Sequence, residues 1–352
     1  MGTKRMNILE KIAKRYWRPS GGGATEDRVQ IALNAKRNSV NDFFGGWEEK
    51  DLKLLSSYQI NNPTIPNSGE IVDWLGIRTA AKLHAWLPMP PTGSMNLQEL
   101  PVPDDRVHAE TIEYVSLLLS VERALHSGGK CFTAMELGAS YAPWAIAAGV
   151  VAKRKGFKEL NLIAVEANKE TVTNITEHAL RNSLSNGVED VNVLAVHGAI
   201  YTNDEYVFFP KVNVANDNGA QITQAALKKD YRGLDLDYEK VPGYSLNTLS
   251  TNYSQIDFLH MDVQGAEAML LKDDTFISIL NQKVATFFIA TQSRLIEGIA
   301  LEKLSELGWS LIRERPTMYR QNNRTKDING WTLRDGGQLW INPKFGNYLS
   351  DF

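Results

Sequence analysis

Residues 135–147 read MELGASYAPWAIA. A glutamate near the end of an apolar run, a glycine two residues on, and a proline opening a helical pattern describe a strand, a turn and a helix N-terminus in thirteen residues. This is the plan of a nucleotide-cradling loop and equally of an ordinary strand-to-helix turn. Gly138 lets backbone approach a ligand, and a helix starting at Pro143 leaves free N–H groups. The dinucleotide spacing G-x-G-x-x-G is not met, because only Gly138 matches it. Ser140 and Ala142 carry a Cβ and are not expected to take positive φ. The reading therefore favours a cofactor without the pyrophosphate of a nicotinamide dinucleotide.

Working outward, apolar runs and helical patterns alternate. CFTAMEL precedes an expected helix over 143–155, and LNLIAVE one over 168–183. VNVLAVHG leads into a hairpin-like piece and a long insertion, IDFLHMDV into a helix from Gly265 to about Leu280, and VATFFIA into a helix ending near Leu307. Short, continuously apolar strands separated by helices predict a parallel sheet covered on both faces. WSLIRER and GQLWINP have no helix between them and are expected to pair antiparallel at one edge. Upstream, Ile112, Val115, Leu118, Leu119 and Leu125 mark an amphipathic helix that stops at Gly128–Gly129. The expected organisation is a helical extension over 1–65, an irregular connection with short strands over 66–108, and a Rossmann-like domain over 109–352.

Composition bounds the partners. With 43% apolar and 22% charged residues, the 352-residue chain can bury a sizeable core. A net charge of −3 gives no field directed at nucleic acid. The single cysteine, Cys131, excludes an internal disulfide and suits a reducing cytoplasm. No apolar stretch approaches the ~20 residues that span a bilayer. Residues 1–18 hold Lys4, Arg5, Lys11, Lys14, Arg15 and Arg18 against Glu10 alone, with Ile8, Leu9, Ile12 and Tyr16 at helical spacing. Such a helix either packs on its own domain or lies on an acidic partner or the inner membrane face.

In open α/β sheets ligands bind beyond the carboxyl ends of the strands. Three strand ends carry chemistry: Glu136 and Gly138, then Glu166, then His260, Asp262, Gln264 and Glu267. Glu166 follows Gly138 by 28 residues within one βαβ unit, and its two oxygens can accept both hydroxyls of a ribose. Its bland alternative is a solvated residue of a β–α turn. His260 and Asp262 are two apart and share a strand face, so either could act as base; a core histidine and a helix cap are the alternatives. Glu267 suits a helix first turn equally well. Asp262, Glu267 and a histidine match no dedicated metal spacing, so a divalent metal is not favoured. Thr291 and Arg294 could hydrogen-bond a sugar or phosphate, and Trp74, Trp86, Trp331 and Trp340 could stack on sugars, although core positions are commoner for tryptophan.

ELGASYAPW, AVEAN, IDFLHMDVQGAE, TQSRLIEG, GWSLIRERP and DGGQLWINP, in that order, resemble the FkbM family of S-adenosylmethionine-dependent methyltransferases. The resemblance runs from GIRT (76–79) to the end, roughly three quarters of the chain, and IDFLHMDVQGAE is its most specific piece. It implies a class I methyltransferase fold, a seven-stranded sheet with an antiparallel final pair. It also implies methylation of hydroxyl groups on surface saccharides, glycoconjugates or natural products. Glu136, Gly138, Ala139, Ser140 and Trp144 would then lie at the methionine end of the cofactor, Glu166 and Ala167 at the ribose, His197 and Gly198 at the adenine. Asp262 and Gln264 would sit by the transferred methyl, with Thr291, Gln292, Arg294 and Glu267 toward the acceptor. The family loop usually reads E-L-G-A-G-x-G-P-W, so Ser140 and Ala142 replace glycines, and Gln292 stands where relatives often have histidine. A non-catalytic cofactor- or glycan-binding module and a homo-oligomer are the remaining alternatives for activity and assembly.

Overall fold

Parallel strands buried on both faces need mainly apolar side chains, and the central strands meet that demand. The computed structural model describes residues 45–48, 50–61, 64–84, 93–97, 110–187, 190–212 and 219–346. The basic 1–18 segment, most of the expected N-terminal extension and Trp86 lie outside these.

The chain first forms α1 (Asp51–Tyr58), then a small sheet of β1 (Glu70–Asp73), β2 (Arg78–Ala80) and β3 (Met95–Leu97) in the order β2-β1-β3. Next come α2 (Thr111–His126), β4 (Cys131–Leu137), α3 (Pro143–Arg154), β5 (Glu159–Glu166), α4 (Lys169–Arg181) and β6 (Val191–His197). An insertion follows, with β7 (Ala199–Ile200), β8 (Tyr206–Pro210) and β9 (Tyr238–Tyr244) forming a three-stranded sheet. The rest is α5 (Leu246–Leu249), β10 (Phe258–Met261), α6 (Glu267–Leu270), α7 (Asp274–Lys283), β11 (Thr286–Thr291) and α8 (Arg294–Glu306). Four strands close it: β12 (Ser310–Arg315), the pair β13 (Met318–Tyr319) and β14 (Thr332–Arg334), and β15 (Gly336–Ile341).

Seven strands make the main sheet in the order β12-β15-β11-β10-β4-β5-β6. Only β15 runs against its neighbours, pairing antiparallel with both β11 and β12, as expected of a class I methyltransferase sheet. Its two faces carry separate cores. Phe132, Ala134, Leu162, Phe258 and Phe288 pack under α2, α3 and α4. Met135, Leu137, Ile163, Met261 and Ile289 pack under α5, α7 and α8. Trp74 and Trp340 are core residues, not sugar platforms; each is 1% exposed.

The helix expected over 265–280 is two helices. The chain leaves α6 at Leu271 and restarts at α7, where the Asp273 carboxylate caps the new N-terminus by accepting from Phe276 N–H at 2.7 Å. The small sheet is pinned to α4 through Glu70, which pairs with Arg78 at 2.6 Å and Arg181 at 2.5 Å. At the opposite sheet edge, Asp51 of α1 receives both Nε and Nη2 of Arg313 on β12, at 2.8 and 2.7 Å.

Candidate active site

The strands whose ends matter are neighbours: β6, β5, β4 and β10 are contiguous, with β11 next. Main-chain bonds draw the ends together. Gly138 and Ala139 N–H both donate to Val165 C=O at 3.0 Å, Gly198 N–H donates to Glu166 C=O at 2.9 Å, and Asp262 N–H donates to Leu137 C=O at 3.0 Å.

Gly138 has φ 78°, and a Cβ there would lie 1.9 Å from the Asp262 carbonyl oxygen. Its glycine is therefore required by the close approach of the β4 and β10 ends. Contrary to expectation, Ser140 (φ 48°) and Ala142 (φ 59°) both adopt the left-handed conformation. A left-handed backbone at a residue with a Cβ costs about 1–2 kcal/mol per residue. The grip on the loop comes from outside it. Ser140 N–H donates to Glu166 Oε2 at 2.7 Å, while Trp144 and Ala145 N–H donate to Glu136 Oε2 at 3.1 and 2.7 Å. Glu136 thus caps α3 from the neighbouring strand, because the N-cap residue Ala142 has no side-chain oxygen.

Sheet register decides which acidic strand residues face the crevice. Glu136, His260 and Phe288 stand side by side across β4, β10 and β11. That row lies beneath α2 and α3, so Glu136 and His260 are each only 2% exposed. The His260 ring lies between Trp144 and Phe288, at ring-centre separations of 5.7 and 5.0 Å, and its Nε2 meets Glu113 Oε1 at 3.0 Å. Burial drives the imidazole down to about 3, and burial likewise pushes the Glu113 and Glu136 carboxyls well above the usual carboxylate range. His260 is a neutral core residue, which corrects its reading as a base. Trp144, 3% exposed, is a core ring rather than a cofactor contact.

Two acceptor-side expectations are corrected in the same way. Glu267 is fully buried and spends both oxygens on the turn after β10, accepting from Val263 and Gly265 N–H at 2.7 Å each. Thr291 is also fully buried, and its hydroxyl lies 3.3 Å from both Glu297 Oε1 and the Thr317 hydroxyl. Arg294 is exposed at the start of α8, its N–H bonded to the Tyr319 hydroxyl.

Four side chains remain at the crevice. Glu166 accepts from Ser140 N–H and, at 2.6 Å, from Asn168 N–H. Burial raises its carboxyl to about 7 against these backbone donors. Each of its oxygens keeps a second lone pair. Its register partner on β6 is His197, whose Nε2 is buried with no hydrogen-bond partner among the described residues. Gly198 beside it admits β9, since a Cβ would lie 2.7 Å from Pro242 O. Ala167, between these ends, belongs to a small apolar cluster with Ala199 and Tyr201. Asp262 closes the row. Its Oδ1 accepts from Gln264 Nε2 at 2.8 Å and Gln292 Nε2 at 3.0 Å, and burial lifts the carboxyl to about 7, helped by Asp335.

The two glutamines also line a polar cleft of about 680 Å³, together with Tyr231, Arg232, Leu234, Asn322, Arg324, Asn329, Gly330, Thr332 and Asp335. Sequence reasoning did not find this wall, because 231–234 and 322–335 are loops without periodicity. Their glycines were the one available signal. A Cβ at Gly233 would lie 2.6 Å from Arg324 O, and one at Gly330 would lie 2.3 Å from Tyr231 O. A second hollow of about 690 Å³, lined in part by Tyr201, Gln221 and Met269, opens on the other side of Gly265. Among the described residues no group of three or more His, Cys, Asp or Glu is arranged to hold a metal ion, and no helix is long and apolar enough to cross a membrane.

The sheet order is that of a class I, Rossmann-like methyltransferase fold. Residues 136–302 match the family described as Methyltransferase FkbM domain. A Jannaschia sp. (strain CCS1) protein named "Putative methyltransferase" is 26% identical over 260 residues, 71% of this chain and 85% of that one. Among solved structures, the ribosomal protein L11 methylase of Lactobacillus delbrueckii subsp. bulgaricus is similar at TM-score 0.31 and 14% identity, over 66% of this chain and 80% of that one. A precorrin-6y C5,15-methyltransferase of Geobacter metallireducens GS-15 gives TM-score 0.34 and 9% identity, over 68% and 90%.

Proposed function

We propose that the protein is an S-adenosylmethionine-dependent O-methyltransferase acting on a hydroxyl of a saccharide or glycoconjugate. The observation that carries this reading is the junction at Asp262, whose carboxylate is held by two glutamine amides that themselves line the polar cleft. A cofactor pocket and an acceptor pocket would meet there. Glu166 and His197 fit an adenosyl group: the carboxylate retains lone pairs for sugar hydroxyls, and the unpartnered buried His197 Nε2 lacks a partner that a ligand could supply. Gly138, Ala139 and Ser140 would form the pocket wall, and Asp262 and Gln264 would face the methionine end. When bound, the cofactor supplies an electrophilic methyl group on a sulfonium.

The chain's own contribution is positioning and exclusion. An alcohol reacts only when its oxygen is aligned and its proton has somewhere to go. Amide and charged side chains around the cleft offer both donors and acceptors, as a polyhydroxylated ligand requires.

Titration calorimetry with S-adenosylhomocysteine is expected to show one-site binding, weakened at least tenfold in Glu166→Ala. Labelled methyl should pass to surface-polysaccharide or nucleotide-sugar fractions. Cofactor binding without any turnover, or preference for a nicotinamide dinucleotide, would overturn this reading.

A further inference from the structure

The methyl-transfer reading leaves open which group receives the acceptor's proton. Asp262 is the carboxylate that strand-end logic selects, yet it does not line the acceptor cleft. Gln264 and Gln292 stand in front of it and occupy its Oδ1. One other carboxylate serves the cleft directly. Asp335 lines it, is half-buried, and its carboxylate receives no hydrogen bond from any described residue. Its main chain is firmly held: the Asp335 C=O accepts from Arg315 Nη2 at 2.7 Å, Arg315 is 1% exposed, and β15 begins at the next residue. An open carboxylate on a rigid strand start, facing amide donors across a polar cleft, has the geometry of a proton acceptor.

We propose that Asp335 is the general base of this protein, taking the proton of the acceptor hydroxyl, while Asp262 organises the junction behind the two glutamines. This rests on the methyl-transfer reading above. In the step, the acceptor O–H bond breaks and its proton passes to the Asp335 carboxylate. The oxygen's electron pair forms the new bond to the methyl carbon, and the pair of the broken S–CH3 bond stays on sulfur, which leaves as a neutral thioether. The proton then returns to solvent through the open mouth of the cleft. Arg315 from β12 and Glu113 from α2 act on the Asp335 charge with opposite sign, and Tyr231, Arg232 and Arg324 line the opposite walls. Desolvation, the largest influence, sets the carboxyl near 6, close to working pH.

Two measurements test this. The first needs no acceptor: amidation of the intact protein with carbodiimide and glycine ethyl ester at pH 6, followed by peptide mapping. Asp335 is expected to be modified before Asp262; the reverse order overturns the assignment. The second compares wild type with Asp335→Asn and Asp335→Glu, using S-adenosylhomocysteine calorimetry and label transfer to nucleotide-sugar fractions. Asp335→Asn should bind S-adenosylhomocysteine within twofold of wild type and lose about 10²–10⁴-fold in turnover, with Asp335→Glu recovering part of it. Wild-type turnover should rise about tenfold per pH unit up to near pH 6 and then level, a limb absent from Asp335→Asn. Wild-type turnover and pH profile in Asp335→Asn would remove the base role and leave the methyl-transfer reading standing. Failure of the wild-type protein to bind S-adenosylhomocysteine takes down that reading, and Asp335 with it.

Discussion

Among the described residues five other than glycine hold positive φ, and three of them, Ser140, Ala142 and Gln264, lie on the two turns that meet at Gly138 and Asp262. Strain of this kind persists where surrounding bonds over-determine it. Glu136 and Glu166 hold the first turn, and Glu267 holds the second. Ser140→Gly should therefore stabilise the protein by about 1 kcal/mol, by removing the left-handed penalty at a half-buried position. Gly138→Ala should do the opposite, costing roughly 3 kcal/mol, since both the positive φ and the Asp262 carbonyl oppose a methyl group. Urea denaturation of the two variants decides it; a Gly138→Ala protein as stable as wild type would show that the turns are free to separate.

Elements repeat the pattern of polar groups used inside the fold. Asp51 of α1 and Arg313 of β12 are both buried and form a bidentate pair 262 residues apart in sequence. Removing Asp51 leaves the buried Arg313 guanidinium only the exposed Glu48 carboxylate, at 3.6 Å, so Asp51→Ala should lose about 3 kcal/mol by chemical denaturation. If the loss stays below 1 kcal/mol, α1 is not anchored by this pair. The alternation of strands and helices was legible because doubly covered parallel strands are predominantly apolar, as CFTAMEL and VATFFIA are. The turns after β4, β5 and β10 were legible for the same reason, being where apolar runs stop. What the linear order does not carry is facing. Glu136 and His260 sit on strand-end segments but project beneath α2 and α3, which only the β4–β10 register reveals. The break between α6 and α7 had a visible mark in Asp273, an N-cap residue inside an otherwise helical pattern.

For the molecule as a whole, buried carboxyls set the pH response. Glu166 and Asp262 sit near 7, Glu267 near 8 and Asp335 near 6 in the folded protein, each raised chiefly by burial above its unfolded value near 4. The native state then binds more protons than the unfolded one between about pH 4 and 8, so stability falls as pH rises through that window. His260, lowered to about 3, works in the other direction: unfolded chains bind its proton below about 6.5, and stability falls on acidification. Four raised carboxyls outweigh the one histidine, so the melting temperature should be higher at pH 5.5 than at pH 8. A melting temperature climbing steadily from pH 5.5 to 8 would contradict the raised carboxyls. The cleft carries a different kind of consequence. Its walls come from loops about ninety residues apart in sequence, interlocked where Gly233 admits the Arg324 backbone and Gly330 admits that of Tyr231. Neither loop can drift independently, so a change of acceptor taste during descent, or by transplantation from a cousin, has to move both segments together.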